Sequence, residues 1–153
     1  MDPRLFLQIA SDLHGANQSN AGAGAGNRTS ITCSYYALFN AAVEFLEKVD
    51  VAVIDKPRAH SSVRNALIYS QDIKLKSVGI SMETMLGERK CAHYEMSDPK
   101  PERLANAVSV YKQCSQLIVD IDQRRRSAEF PQIKAIIKSW VRSTAASGLK
   151  VIR

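Results

Sequence analysis

Between residues 28 and 48 the apolar positions fall into two adjacent stripes. Ile31, Tyr35, Leu38, Ala42 and Phe45 repeat at the spacing of one helix face, and Tyr36, Phe39, Val43 and Leu46 lie beside them. A helix with two apolar stripes packs against more than one neighbour, so this segment predicts a central helix. Asp2 and Pro3 supply a cap and a first-turn proline for a helix carrying Leu5, Phe6, Ile9 and Leu13, which Gly15 can end. Residues 15 to 27, rich in Gly, Ala and Asn, have the composition of a flexible linker.

The central helix is expected from about residue 28 to 48, stopped by the loop through Asp55-Lys-Pro57, because proline disfavours helix at the residue before it. A third helix is expected from His60-Ser61-Ser62 onward, with Val63, Leu67 and Ile68 on its apolar side. Residues 72 to 80, with Gly79, are ambiguous. Ser81 can cap a fourth helix bearing Met82, Met85 and Leu86. The run Ser97-Asp-Pro-Lys-Pro101 is a boundary, and a long helix from 101 to 125 turns Leu104, Ala107, Val108, Tyr111, Cys114, Ile118 and Ile121 inward. A sixth helix carries Ile133, Ile136, Ile137, Trp140 and Val141, with Lys134, Lys138 and Arg142 at four-residue steps on its other face. Gly148 is its expected end, and the last residues read as frayed. No run alternates with period two. The expected fold is therefore an all-α up-and-down bundle of about five helices over residues 1–126, with 127–153 as a basic C-terminal helix and tail packed on the same domain.

Composition narrows the functional classes. The chain has 153 residues and 45% hydrophobic content, enough for one cored domain. No apolar run nears the ~20 residues that cross a bilayer, and the first residues lack the features of a signal peptide, so no membrane association and a cytoplasmic location are expected. Cys33, Cys91 and Cys114 include no Cys-x-x-Cys pair, which argues against a zinc site or a disulfide framework. No metal and no cofactor is expected. The Ala-Gly run is not a phosphate loop, for it has no preceding strand and no Gly-Lys-Ser/Thr ending. The net charge of +6 is uneven: residues 124 to 153 hold eight of the 21 basic residues and one acid, Glu129. Arg124, Arg125, Arg126, Lys134, Lys138 and Arg142 are thus candidate RNA contacts. The alternative is a solvated helix face and tail.

The sharpest chemical signal lies on the fourth helix. With roughly 100° per residue, Leu86, Arg89, His93 and Met96 fall close to Met82 on one stripe. A guanidinium on an apolar stripe must face a cleft, a subunit interface or a carboxylate such as Glu88 or Glu95 of a neighbour. The four-residue step lets Arg89 and His93 point at one ligand. Histidine can move a proton near neutral pH, and arginine can stabilise charge on a phosphate. Without such a ligand, His93 is a satisfied interface histidine.

The string Arg28-x-Ser30-Ile31-x-x-x-Tyr35-Tyr36-Ala37-Leu38-Phe39-x-Ala41-Ala42 resembles the second helix of HEPN domains, small prokaryotic helical domains. His60-Ser-Ser-Val63 is similar to the His-Ser-Gly-Val that often opens the family's third helix. Phe6 to Ala10 with Leu13 is similar to its first helix, and the stretch around Ala105 and Ala107 fits the helix that follows its site. The resemblance covers about residues 3 to 125. It implies a metal-independent endoribonuclease of a bacterial toxin–antitoxin or defence system. Two helices would meet across a homodimer to form a composite site, with Arg89 and His93 catalytic. The family's Arg and His are separated by four to six residues, against three here. A related branch reads Arg, a short gap and Ala-Asp-Tyr where this chain has Ala92-His93-Tyr94. That branch implies the alternative, a non-catalytic module binding a nucleotidyltransferase-type partner, a nucleotide or nucleic acid. The remaining singled-out residues read as structural: His60 opens a helix or packs, His14 lies on the surface at a helix end, Tyr35 and Tyr36 pack, and Trp140 belongs to the core.

Overall fold

The computed structural model describes residues 2–16, 22–144 and 148–152. Among these, six α-helices account for most of the chain: α1 (Pro3–Ala16), α2 (Ala23–Lys48), α3 (Ala59–Ile68), α4 (Ile73–Tyr94), α5 (Leu104–Arg125) and α6 (Phe130–Ser143). A single 3-10 turn at Lys100–Glu102 precedes α5. Two short strands, β1 (Val51–Val53) and β2 (Leu149–Val151), pair antiparallel with Val51 opposite Val151. The protein is all-α, as its periodicities predict.

The chain forms two compact units. Met1–Leu38 and Thr84–Leu117 make the first; Phe39–Glu83 and Ile118–Arg153 make the second. The first apolar stripe of α2 is buried at every position, with Ile31, Leu38 and Ala42 at 0% exposure. The second stripe is shallower: Tyr36, Phe39 and Val43 are half-buried, and only Leu46 is fully enclosed. Burying a side chain the size of Tyr35 or Phe45 contributes about 1.5–3 kcal/mol. In the second unit Phe45 meets Phe130 edge to face, and Ile133, Ile137 and Val141 give α6 its buried line.

Several element expectations are corrected. Residues 17 to 21 of the predicted linker lie outside the described residues, but Ala23 to Asn27 are the first turns of α2. Low helix propensity there is outweighed by tertiary bonds: Asn27 Nδ2 donates to the Glu102 carbonyl at 2.7 Å, and Arg28 follows it into the core. On α1, Leu5 and Ile9 are exposed, and the buried line runs instead through Pro3 and Ala10. The start is as expected, with the Arg4 N–H donating to Asp2 Oδ1 at 2.9 Å. The other end of α2 is where its stripes predict, at Lys48, and Asp50 then takes a left-handed φ of 61°.

The ambiguous segment 72 to 80 is helix, capped by Asp72 rather than Ser81: its Oδ1 accepts the Leu75 N–H at 2.9 Å. Gly79 lies within that helix because α3 crosses closely. A Cβ there would come within 2.7 Å of Ile68 Cγ1 and 2.9 Å of the Arg64 carbonyl oxygen. Nor are residues 148 to 152 frayed. Gly148, at φ 69°, turns the chain into β2, and its carbonyl accepts the N–H groups of Ile54 and Asp55. Strands of three residues are too short to show an alternating pattern, so no sequence signal announced them. Trp140 is half-buried rather than a core residue and stacks on exposed Tyr69.

Candidate functional site

The stripe Met82–Leu86–Arg89–His93–Met96 follows α4 and continues past its end, and from Leu86 onward it belongs to the first unit. Met85, one turn before Arg89, is 2% exposed, Arg89 is half-buried, His93 is exposed and Met96 is 69% exposed. Arg89 and His93 therefore sit where the apolar stripe reaches the surface. Arg89 is held by aromatic groups. Its Nη2 donates to the Tyr36 hydroxyl at 2.9 Å and its Nη1 to the Tyr94 hydroxyl at 3.5 Å. The guanidinium carbon lies 5.4 Å from the Tyr36 ring centre and 5.3 Å from that of Tyr94, within cation–π range. Its Nε is buried and donates to nothing among the described residues.

Within this chain neither acid considered from sequence neutralises Arg89. Glu88 is bound by the Lys100 ammonium and by Asn106 Nδ2. Two phenols and no carboxylate hold the Arg89 guanidinium among the described residues, so its positive charge is not cancelled locally. His93 stands one turn further along. Its ring meets the Tyr94 ring edge-on at 4.7 Å and is otherwise open to solvent. A fixed cation beside an open imidazole can bind an anionic ester and exchange a proton with it.

Arg28 holds this end of α4. Its guanidinium is 7% exposed and ends the apolar stripe that Ile31 begins. It donates to the carbonyls of Cys91, Ala92, Glu95, Met96 and Asp98, while Nε pairs with the Glu102 carboxylate at 3.1 Å. The orphan carbonyls at the end of α4 are thus capped by a buried cation from α2. The sequence signal was present, an arginine at the head of a buried stripe, but its partners lie more than sixty residues away.

Near that cap, Cys91, Glu95 and Asp98 bring a thiol and two carboxylates within 4.8 Å of one another, the only such metal-ligating group among the described residues. The thiol donates to Asp98 Oδ2 at 3.0 Å. That bond, with burial and the nearby negative charge, pushes the Cys91 thiol up to about 12. The same bond, followed by the Lys100 N–H, holds Asp98 below the usual carboxylate range. Arg28 bonds the backbone of all three residues, and its charge opposes a cation there. Cys114 is a buried core thiol, pushed up to about 12 by desolvation, and half-buried Cys33 is raised for the same reason. His14, expected on the surface, is half-buried: its Nδ1 lies 3.3 Å from Ser30 Oγ and its ring meets Tyr111. His60 packs on Phe39 at 4.4 Å.

The candidate RNA contacts lie in the second unit, and most of them are paired. Arg124 meets Asp72 and Glu129, each at 3.5 Å; Arg125 meets Glu44 at 2.8 Å and Asp122 at 3.5 Å. Lys134 and Lys138 both bind Asp50, at 2.8 and 3.2 Å. Arg126 and Arg142 are exposed, with no ion pair among the described residues. The acids come from outside residues 124 to 153 in most cases, so a segmental charge count missed them. No described helix is long and apolar enough to cross a membrane. Comparison with protein-family profiles, curated proteins and solved structures returns no match.

Proposed function

We propose that this chain is a HEPN-like, metal-independent endoribonuclease of a bacterial toxin–antitoxin or defence system, acting as a homodimer. The observation that carries the reading is the locally unneutralised Arg89 guanidinium, clamped by Tyr36 and Tyr94 one helical turn from the open imidazole of His93. In this mechanism the RNA 2′-oxygen attacks the adjacent phosphorus and gives its proton to one His93. The bond to the 5′-oxygen breaks, and that oxygen takes a proton from the His93 of the second chain. Arg89 stabilises the charge that gathers on the non-bridging oxygens. Exposed Arg126 and Arg142 add salt-dependent attraction for the strand.

Product chemistry tests this. RNA incubated in EDTA should yield fragments ending in 2′,3′-cyclic phosphate; fragments with 3′-hydroxyl ends would refute the mechanism. The three-residue gap between Arg89 and His93, one short of the family's pattern, favours a second reading. There the same face binds a nucleotidyltransferase-type partner without catalysis. A stable complex with such a partner and no RNA cleavage in any condition would decide for it.

A further inference from the structure

We propose that a groove on the second unit, flanked by Tyr69 and Trp140, binds a nucleobase by stacking. The groove holds about 530 Å³, the size of a small-ligand site, and lies between the α3–α4 corner and α6. Tyr69 and Trp140 stack with ring centres 5.2 Å apart and an angle of 16°. Tyr69 is 54% exposed, so this ready-made stack has an open side that a planar base can extend. Ile73, 87% exposed, adds an apolar wall. The polar groups suit a base and its phosphate. Gln71 and Ser139 line the groove with groups that can donate to and accept from a base edge. Gln71 also holds a left-handed φ of 60°, a conformation uncommon outside glycine, which fixes the corner where it stands.

The charge is complementary as well. The one lining carboxylate, Asp72, is engaged by Arg124 at 3.5 Å and by the Leu75 N–H. Lys76 lines the groove and has no ion pair among the described residues, which leaves a cation for a phosphate. The base can belong to an RNA strand or to a free nucleotide. The strand source rests on the ribonuclease reading; the free nucleotide does not.

Trp140 is the chain's single tryptophan, so its fluorescence reports on the groove directly. The full chain is titrated with AMP, UMP and a short 2′-O-methyl oligoribonucleotide, which cannot be cleaved through its 2′-position. A saturable change in Trp140 emission is expected. A response to the oligonucleotide alone identifies a strand; a response to AMP or UMP identifies a free nucleotide. Tyr69→Ala should weaken binding roughly 10- to 100-fold, the loss of one stacking partner, while Tyr69→Phe stays near wild type. Arg89→Ala should keep the response, so failure here is separable from failure of the cleavage reading. No response to any base-bearing probe, or equal affinity in Tyr69→Ala with intact circular dichroism, overturns the proposal. Emission changes with a hydrophobic dye but not with nucleotides would mark the groove as a seat for an apolar protein segment, and also overturn it.

Discussion

Two arginines on the first unit show how one residue type takes opposite roles. Arg28 is enclosed, and its charge is spent on five carbonyls and one carboxylate; Arg89 reaches the surface with only phenols about it. Arg28→Met would leave those carbonyls at the end of α4 without their donor. We expect a loss of about 2–4 kcal/mol, since a buried donor removed from charge-assisted bonds strands its partners. Urea unfolding of the two proteins measures it. Cys91 carries a second expectation at this scale. A thiol raised to about 12 is almost wholly protonated at pH 8, so it should alkylate far more slowly than a free cysteine. Asp98→Ala removes the first cause of the shift and should speed iodoacetamide labelling of the Cys91 peptide, as followed by mass spectrometry. Unchanged labelling would show that the bond to Asp98 does not control the thiol.

At the scale of elements, the helices were legible wherever a stripe was long and one-sided, as in α2, α5 and α6. The errors fell where a distant contact overrode local preference. α2 begins early because Asn27 and Arg28 find partners around residues 91 to 102, and α4 keeps a glycine because α3 presses on it. Gly79→Ala should therefore destabilise by about 1–3 kcal/mol, although alanine is the better helix former, because the added methyl meets Ile68 and the Arg64 carbonyl. A higher midpoint in thermal unfolding would contradict this close crossing. The α2–β1 corner offers a pH test. Lys134 and then Lys138 hold the Asp50 carboxyl below its usual range. A carboxylate depressed in the fold contributes stability above its unfolded pKa and loses it as pH falls through its folded value. Asp50→Asn tolerates the left-handed backbone but lacks the charge, so it should lower the melting midpoint at neutral pH and leave the two proteins alike in strong acid.

At the scale of the whole chain, the class of fold was readable and the function less so. The sequence placed Arg89 and His93 on one helix face, and both lie where that stripe surfaces. It could not show that Tyr36 would join Tyr94 in clasping the guanidinium, because Tyr36 lies fifty-three residues from Arg89 on α2 and only packing brings them together. The basic C-terminal segment was legible as charge but not as free charge, since Asp50, Glu44 and Asp72 answer four of its six candidate contacts with Asp122 and Glu129. RNA affinity resting on Arg126 and Arg142 alone would fall less steeply with salt than six open cations would give. The central claim stands on Arg89 and His93, and initial rates of RNA cleavage in EDTA test it most directly. Wild type should cut, while Arg89→Ala and His93→Ala, with unchanged circular dichroism, should each be slower by about 100-fold or more. Equal rates in all three proteins, or no cleavage by wild type, would contradict it.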